Sequence, residues 1–171
     1  VERIRRPPQC LVLTCGLSGS GKTSLARAVA TPLGALHVRS DIERKRLAGL
    51  GPLDDSHSPP DGGIYSPDFT ERTYARLLDC ATNALLGGER LIVDAAFLKR
   101  DERQDMLDLA ARSSVPAAIL HCVAPLAVLR ERLESRSRSG DDASEAGIAI
   151  LSRQPAYWEE FGDEQRRHVV A

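Results

Sequence analysis

No apolar run in this sequence reaches the length of a membrane-spanning helix, so nothing in it reads as a helical membrane protein. The start, VERIRRPPQ, lacks the apolar core of a signal peptide, and it also lacks an initiating Met. The chain is therefore expected to be a processed form or, as we expect, a piece of a longer protein, with residues 1–9 an N-terminal extension or linker and residues 10–171 the domain. No excess of one charge stands out: 23 Lys and Arg face 24 Asp and Glu, for a net charge of −1. That balance argues against a whole-surface attraction to nucleic acid. Cysteine is scarce and scattered; Cys10, Cys15, Cys80 and Cys122 form no CxxC pair and lie in apolar stretches. A metal or disulfide role is thus not expected, and reduced thiols in a cytoplasmic protein are. Aromatics make up only 4% of residues, with a single Trp. Tyr157 and Trp158 read as packing residues and not as a base-stacking platform. No internal repeat or low-complexity tract is visible.

What remains is the composition of one soluble globular domain: 171 residues, 42% hydrophobic and 27% charged. Apolar runs at 10–16, 35–41, 90–97 and 116–124 read as strands, and RHVVA at the end as the start of a fifth. Between them, 22–34, 42–50, 66–88 and 99–114 carry helical periodicity, and 125–154 reads as helix, polar break, helix. Uniformly apolar strands alternating with helices predict an α/β three-layer sandwich around a central, mostly parallel sheet. The stretch GPLDDSHSPPDGGIYS interrupts this alternation and is long enough to be functional. Ligands of such sheets bind beyond the carboxyl ends of the strands, so the residues there come next.

After the first strand comes GLSGSGKTSL. Gly16, Gly21, Lys22 and Thr23 match G-x-x-x-x-G-K-[ST], with a strand before and a helix after as the motif requires. Glycines let backbone N–H groups turn inward around an anion, and the helix N-terminus adds positive charge. Gly16, Ser18, Gly19, Ser20, Gly21, Lys22, Thr23 and Ser24 are the candidate nucleotide-phosphate ligands. Lys22 is expected at the β- and γ-phosphates and Thr23 on Mg²⁺.

After the second strand, Asp41 is placed to orient an acceptor hydroxyl and take its proton. Arg39 and Arg44 are candidate ligands for the same acceptor. A plainer reading also fits these residues: Ser40-x-x-Glu43 is a capping box, and Arg44, Lys45 and Arg46 read as a solvated face. After the third strand, Asp94 is the candidate second Mg²⁺ ligand, and Phe97 is expected to fill the core. RERLESRSRSGDD carries Arg130, Arg132, Arg136 and Arg138 on a segment read as a helical lid. Arginines brought over a transferring phosphoryl group stabilise its charge, and Arg136 and Arg138 are the best placed. Arg–Glu pairs on a surface helix are the plainer reading. The four histidines read as structural or surface residues.

Taken together, GLSGSGKT, VRSDIERKRLAGL, LIVDAAFLKRDER and GDDASEA resemble the AAA_33, zeta-toxin-like group of P-loop NTPase domains, over about 10–154. The likeness is greatest to the ATP-binding domain of bacterial proteins whose other half resembles an aminoglycoside phosphotransferase. Polynucleotide 5′-kinases and gluconate kinases are related to the group. The resemblance implies an ATP- and Mg²⁺-dependent kinase, with Asp41 as base, Arg44 on the acceptor and a lid arginine at the phosphoryl group. Ala95 and Ala96 stand where polynucleotide kinases often carry polar residues, which sets a nucleic-acid acceptor behind a small-molecule hydroxyl. A nucleotide-sugar kinase and an ATP-binding regulatory module of a larger protein are the alternatives. The adenine is expected between the lid and Ser152–Gln154.

Overall fold

The computed structural model describes residues 8–139, 144, 145 and 147–170, and the side chains of 137–139 fall outside that description. Five strands form one parallel sheet in the order β2-β3-β1-β4-β5: β1 Leu11–Cys15, β2 Leu36–Arg39, β3 Leu91–Asp94, β4 Ala117–His121 and β5 Val169–Val170. The helices are α1 Lys22–Leu33, α2 Ser40–Leu47, α3 Pro67–Leu86, α4 Arg100–Arg112, α5 Leu126–Ser139, α6 Ile148–Tyr157 and α7 Asp163–Arg166. The short α7 and a 3₁₀ turn at Gly63–Tyr65 were not evident from periodicity.

The central strands β1 and β3 are buried along their whole length, because helices cover both faces of the sheet. Leu11, Leu13, Leu91, Val93 and Ile119 pack on one face against Leu77, Ala81 and Leu85 of α3 and Met106, Leu109 and Ala110 of α4. On the other face, Val12 and Ile92 meet Ala26, Val29, Ala30 and Leu33 of α1. Leu25, next to Ala26 in α1, points away from that face and is 39% exposed. Phe97 is fully buried, as expected of a core residue. A smaller cluster of Leu129, Leu133 and Leu151 joins α5 to α6.

Local signals set some helix ends. Ser66 Oγ accepts the Phe69 N–H and Pro67 opens α3, while Gly34 in the left-handed region closes α1. The start of α2 differs from expectation. β2 stops at Arg39, so Ser40 and Asp41 belong to the first helical turn, and no capping box forms. Glu43 instead accepts Arg76 Nε at 3.1 Å and pairs with Arg46. Nor are Arg44 and Lys45 a solvated face: both are buried, and only Arg46 is exposed. Packing of α2 on α3 turns that side of the helix inward.

Arg103 of α4 is fully buried and holds the back of the fold together. Its guanidinium donates to the carbonyls of Phe97 (2.8 Å), Leu98 (3.0 Å) and Glu159 (2.7 Å) and to Gln165 Oε1 (3.0 Å), and it faces the rings of Trp158 and Phe161. Replacing Arg103 by Leu leaves those acceptors buried without a donor, an expected loss of about 3 kcal/mol. Thermal unfolding checks this; the midpoint should fall by roughly 6–12 °C for a chain of this size.

Candidate active site

The carboxyl ends of β1, β2 and β3 meet α1 and α2 at one cleft of about 950 Å³. Its floor is the loop between β1 and α1, whose geometry demands glycine at two points. Gly16 has φ +139°, and a Cβ there would lie 2.3 Å from the Cys122 carbonyl oxygen; Gly19 has φ +83°, and its Cβ would lie 2.8 Å from the Leu129 carbonyl oxygen. Ser18, Gly19, Gly21, Lys22, Thr23 and Ser24 line the cleft. Gly16 and Ser20 border a second, more apolar cavity of about 550 Å³ on the other side of the loop, with Cys122, Trp158 and Phe161.

Lys22 Nζ donates to the Leu17 carbonyl at 2.8 Å. Desolvation pulls its ammonium below the ordinary lysine range, opposed first by the charge of Asp94 and then by that of Asp41. Both carboxylates are thus electrostatic neighbours of the phosphate-loop lysine.

Asp94 is 4% exposed and takes partners from three other elements. Thr14 of β1 donates to Oδ1 at 3.1 Å and Thr23 of α1 to Oδ2 at 2.7 Å. From β2, His37 Nε2 lies 3.2 Å and Arg39 Nε 3.8 Å from Oδ2. Burial pushes the carboxyl upward, but the bonds from His37 and Thr23 and the charge of Lys22 outweigh it and hold the group below its ordinary range. The Thr23 hydroxyl and the Asp94 carboxylate are hard oxygen donors converging beside the phosphate loop, which suits Mg²⁺ shared with phosphate oxygens and water. Among the described residues no group of three or more His, Cys, Asp or Glu forms a metal cage of its own.

Asp41 lines the same cleft from the first turn of α2, half-buried and, among the described residues, without a hydrogen bond. Arg44 lines it too, but part of its guanidinium is committed: Nη1 donates to the Ile64 carbonyl at 2.6 Å and to Thr70 Oγ1 at 3.1 Å, under the Tyr65 ring. Arg39 is directed to Asp94 and is not part of the lining. From α5, Arg136 borders the cleft and Arg132 donates to the Gly19 carbonyl at 3.2 Å. The side chain of Arg138 lies outside the described residues. Gln154 of α6, in the stretch expected beside the adenine, accepts the Ser18 N–H at 2.7 Å. Tyr157 lines the cleft and is 48% exposed, so it is not the packing residue expected, whereas Trp158 packs with His121 and Phe161.

His37, expected to be structural or a surface residue, is a structural support of the site: it holds Asp94 without lining the cleft. The signal for it is period two: His37 and Arg39 point to one side of β2, and the register sets Arg39 opposite Asp94. All four cysteines are free thiols.

The AAA domain family designated AAA_33 matches residues 11–161. Uncharacterized proteins of Mycobacterium bovis and Mycobacterium tuberculosis are 30% identical over 149 residues, which cover 87% of this chain and 30% of each relative. The chain thus spans about a third of the length of the curated relatives it matches. A candidate kinase of Chloroflexus aurantiacus superposes with a TM-score of 0.65 at 26% identity, over 88% of this chain and 76% of that one. A gluconokinase of Sinorhizobium meliloti gives 0.63 at 23%, over 98% and 83%. The adenylylsulfate (APS) kinase of Mycobacterium tuberculosis, solved with AMPPNP and APS, gives 0.59 at 24%, over 80% and 77%.

Replacing Thr14 by the near-isosteric Val removes a donor to Asp94 and the acceptor of the Ala95 N–H, 3.1 Å away. A stability loss of about 1–3 kcal/mol is expected from these buried unpaired groups. Urea unfolding with an unchanged slope is the check.

Proposed function

This chain belongs to the AAA_33 family, and from that premise we propose that it is an ATP-dependent phosphotransferase acting on a hydroxyl of a small molecule. The observation that carries the proposal is the Asp41 carboxylate. It has no hydrogen-bond partner among the described residues, and it faces the cleft that holds Lys22, Thr23 and Asp94. A nucleotide-binding module without chemistry leaves such a group without a use.

In this reading the phosphate loop from Gly16 to Ser24 seats the nucleotide phosphates, with Lys22 on the β- and γ-phosphates. Thr23 and Asp94 would hold Mg²⁺, which would neutralise charge on the phosphate oxygens. Asp41 orients the acceptor hydroxyl and takes its proton as the oxygen bonds to the γ-phosphorus. The bond to the β–γ bridging oxygen breaks, and ADP carries the electron pair away. Arg136, which borders the cleft, stabilises the equatorial oxygens, Arg132 steadies the loop, and Arg44 meets the acceptor. Arg39, an acceptor ligand in the sequence reading, serves Asp94 here.

The far wall of the cleft favours a small molecule over a nucleic acid. Asp68 and Glu71 of α3 and Asp101, Glu102 and Asp105 of α4 border it, against Lys99 as the cation of that wall. A polyanion approaching there meets repulsion. The alternatives, a polynucleotide 5′-kinase and a nucleotide-sugar kinase, require Arg44 to overcome that field. The length of the curated relatives supports a domain that works fused to others.

Asp41→Asn keeps the shape and removes the base. Labelled ATP, offered with pooled sugars, aminoglycosides, nucleosides and oligonucleotides, should show transfer reduced by 10²–10⁴-fold, on the order seen for general bases. Affinity for a fluorescent ATP analogue should stay within about two-fold, because Asp41 makes no hydrogen bond to the phosphate loop and the charge of Asp94 acts more strongly on Lys22 than that of Asp41. Undiminished transfer removes Asp41 from the mechanism.

A further inference from the structure

One carboxylate outside the reaction centre gathers groups from two separate parts of the chain. Glu145 Oε1 lies 2.9 Å from Lys45 Nζ of α2 and accepts the Ser56 N–H at 2.9 Å; its Oε2 accepts the Ser56 hydroxyl. Lys45 is 2% exposed, and its other acceptor is the Pro52 carbonyl at 3.2 Å. A buried ammonium cannot fall back on water, so it depends on this carboxylate. Partial burial pushes the Glu145 carboxyl upward, yet the bonds from Ser56 and Lys45 hold it below its ordinary range.

These partners lie directly behind residues that line the cleft. Lys45 follows Arg44, whose guanidinium lies under the Tyr65 ring at 5.1 Å, and Tyr65 and Arg44 line the cleft with Asp41. Shortly after Glu145, α6 grips the same segment again, where Arg153 pairs with Asp61. The next residue, Gln154, holds the Ser18 N–H of the phosphate loop. The segment from Gly51 to Ser66 is therefore joined to the phosphate loop through Glu145 and α6.

We propose that Glu145 is a positioning residue for phosphoryl transfer: by latching Lys45 and Ser56 it holds the segment from Gly51 to Ser66, which carries Tyr65 into the cleft, against α6, setting acceptor affinity and keeping water from the transferring group. This rests on the phosphotransferase reading above. When the latch opens, water replaces the alcohol as nucleophile: its oxygen bonds to the γ-phosphorus while Asp41 takes its proton, the bond to the bridging oxygen breaks with the electron pair leaving on ADP, and the products are ADP and inorganic phosphate.

The test uses the full chain with MgATP and the variants Glu145→Gln, Glu145→Asp and Ser56→Ala. Ser56→Ala removes one leg of the latch without exposing a buried charge, and it decides the matter if Glu145→Gln does not fold. Amide exchange across 51–66 should rise about ten-fold or more in Glu145→Gln and less in Ser56→Ala, as local opening becomes easier. ATP consumption without an alcohol should rise several-fold, with affinity for the fluorescent nucleotide within about two-fold of wild type. Glu145→Asp should recover most of both effects. With an acceptor in hand, KM should rise while kcat holds. Unchanged exchange in the variants overturns the latch. Raised exchange with unchanged water hydrolysis and unchanged KM reduces it to a structural contact and overturns the positioning role. Absence of transfer to any alcohol by the wild-type chain overturns the phosphotransferase reading instead, and the exchange data still decide whether the latch exists.

Discussion

A buried carboxylate at the tip of β3 constrains the rest of this site. Asp94 cannot remain charged out of water without partners. The structure supplies them from β1 through Thr14, from α1 through Thr23, and from β2 through His37 and Arg39. Each partner ties one element end to the same point. Because Thr23 directly follows Lys22, the bond from Thr23 fixes where the first turn of α1 begins and so where the phosphate loop points. Because Arg39 ends β2, its approach to Asp94 also fixes where α2 starts and where Asp41 emerges. The geometry of phosphate loop and candidate base is thus set from one buried charge.

The cleft is lined by cations of the loop and α5, Lys22, Arg132 and Arg136, and by carboxylates of α3 and α4, Asp68, Glu71, Asp101 and Asp105. The former suit a donor that brings negative charge, and the latter disfavour an acceptor that does. Gln154 of α6 accepts the Ser18 N–H of the phosphate loop, and Arg153 beside it pairs with Asp61.

The parts of the fold legible in the sequence are those governed by local rules. Strand, glycine loop and helix follow one another within a short stretch, so the phosphate loop, Lys22, Thr23 and the helix stop at Gly34 could be read directly. Asp94 was legible because an apolar strand ended on a carboxylate. Side chains whose burial depends on distant partners were not. Lys45 and Arg103 look like surface cations in sequence, and the groups that bury them lie at Glu145 and at 159–165. The capping box at Ser40 failed for the same reason: α3 brings Arg76 to Glu43, and a charged tertiary partner displaces a local cap. His37 was hidden because strand register, which places it beside Asp94, is not written in either strand alone. Assignment of the family from residues 11–161 agrees with the resemblance seen in the motifs, and the structural neighbours agree with the parallel sheet.

The central claim is that the cleft moves a phosphoryl group to an alcohol and does not spend it on water. Phosphorus NMR of the chain with MgATP and a pooled set of small alcohols reads this directly. The account expects a new phosphate-monoester resonance that grows in step with ADP. Growth of ADP and inorganic phosphate alone, with no monoester from any alcohol in the pool, would contradict it.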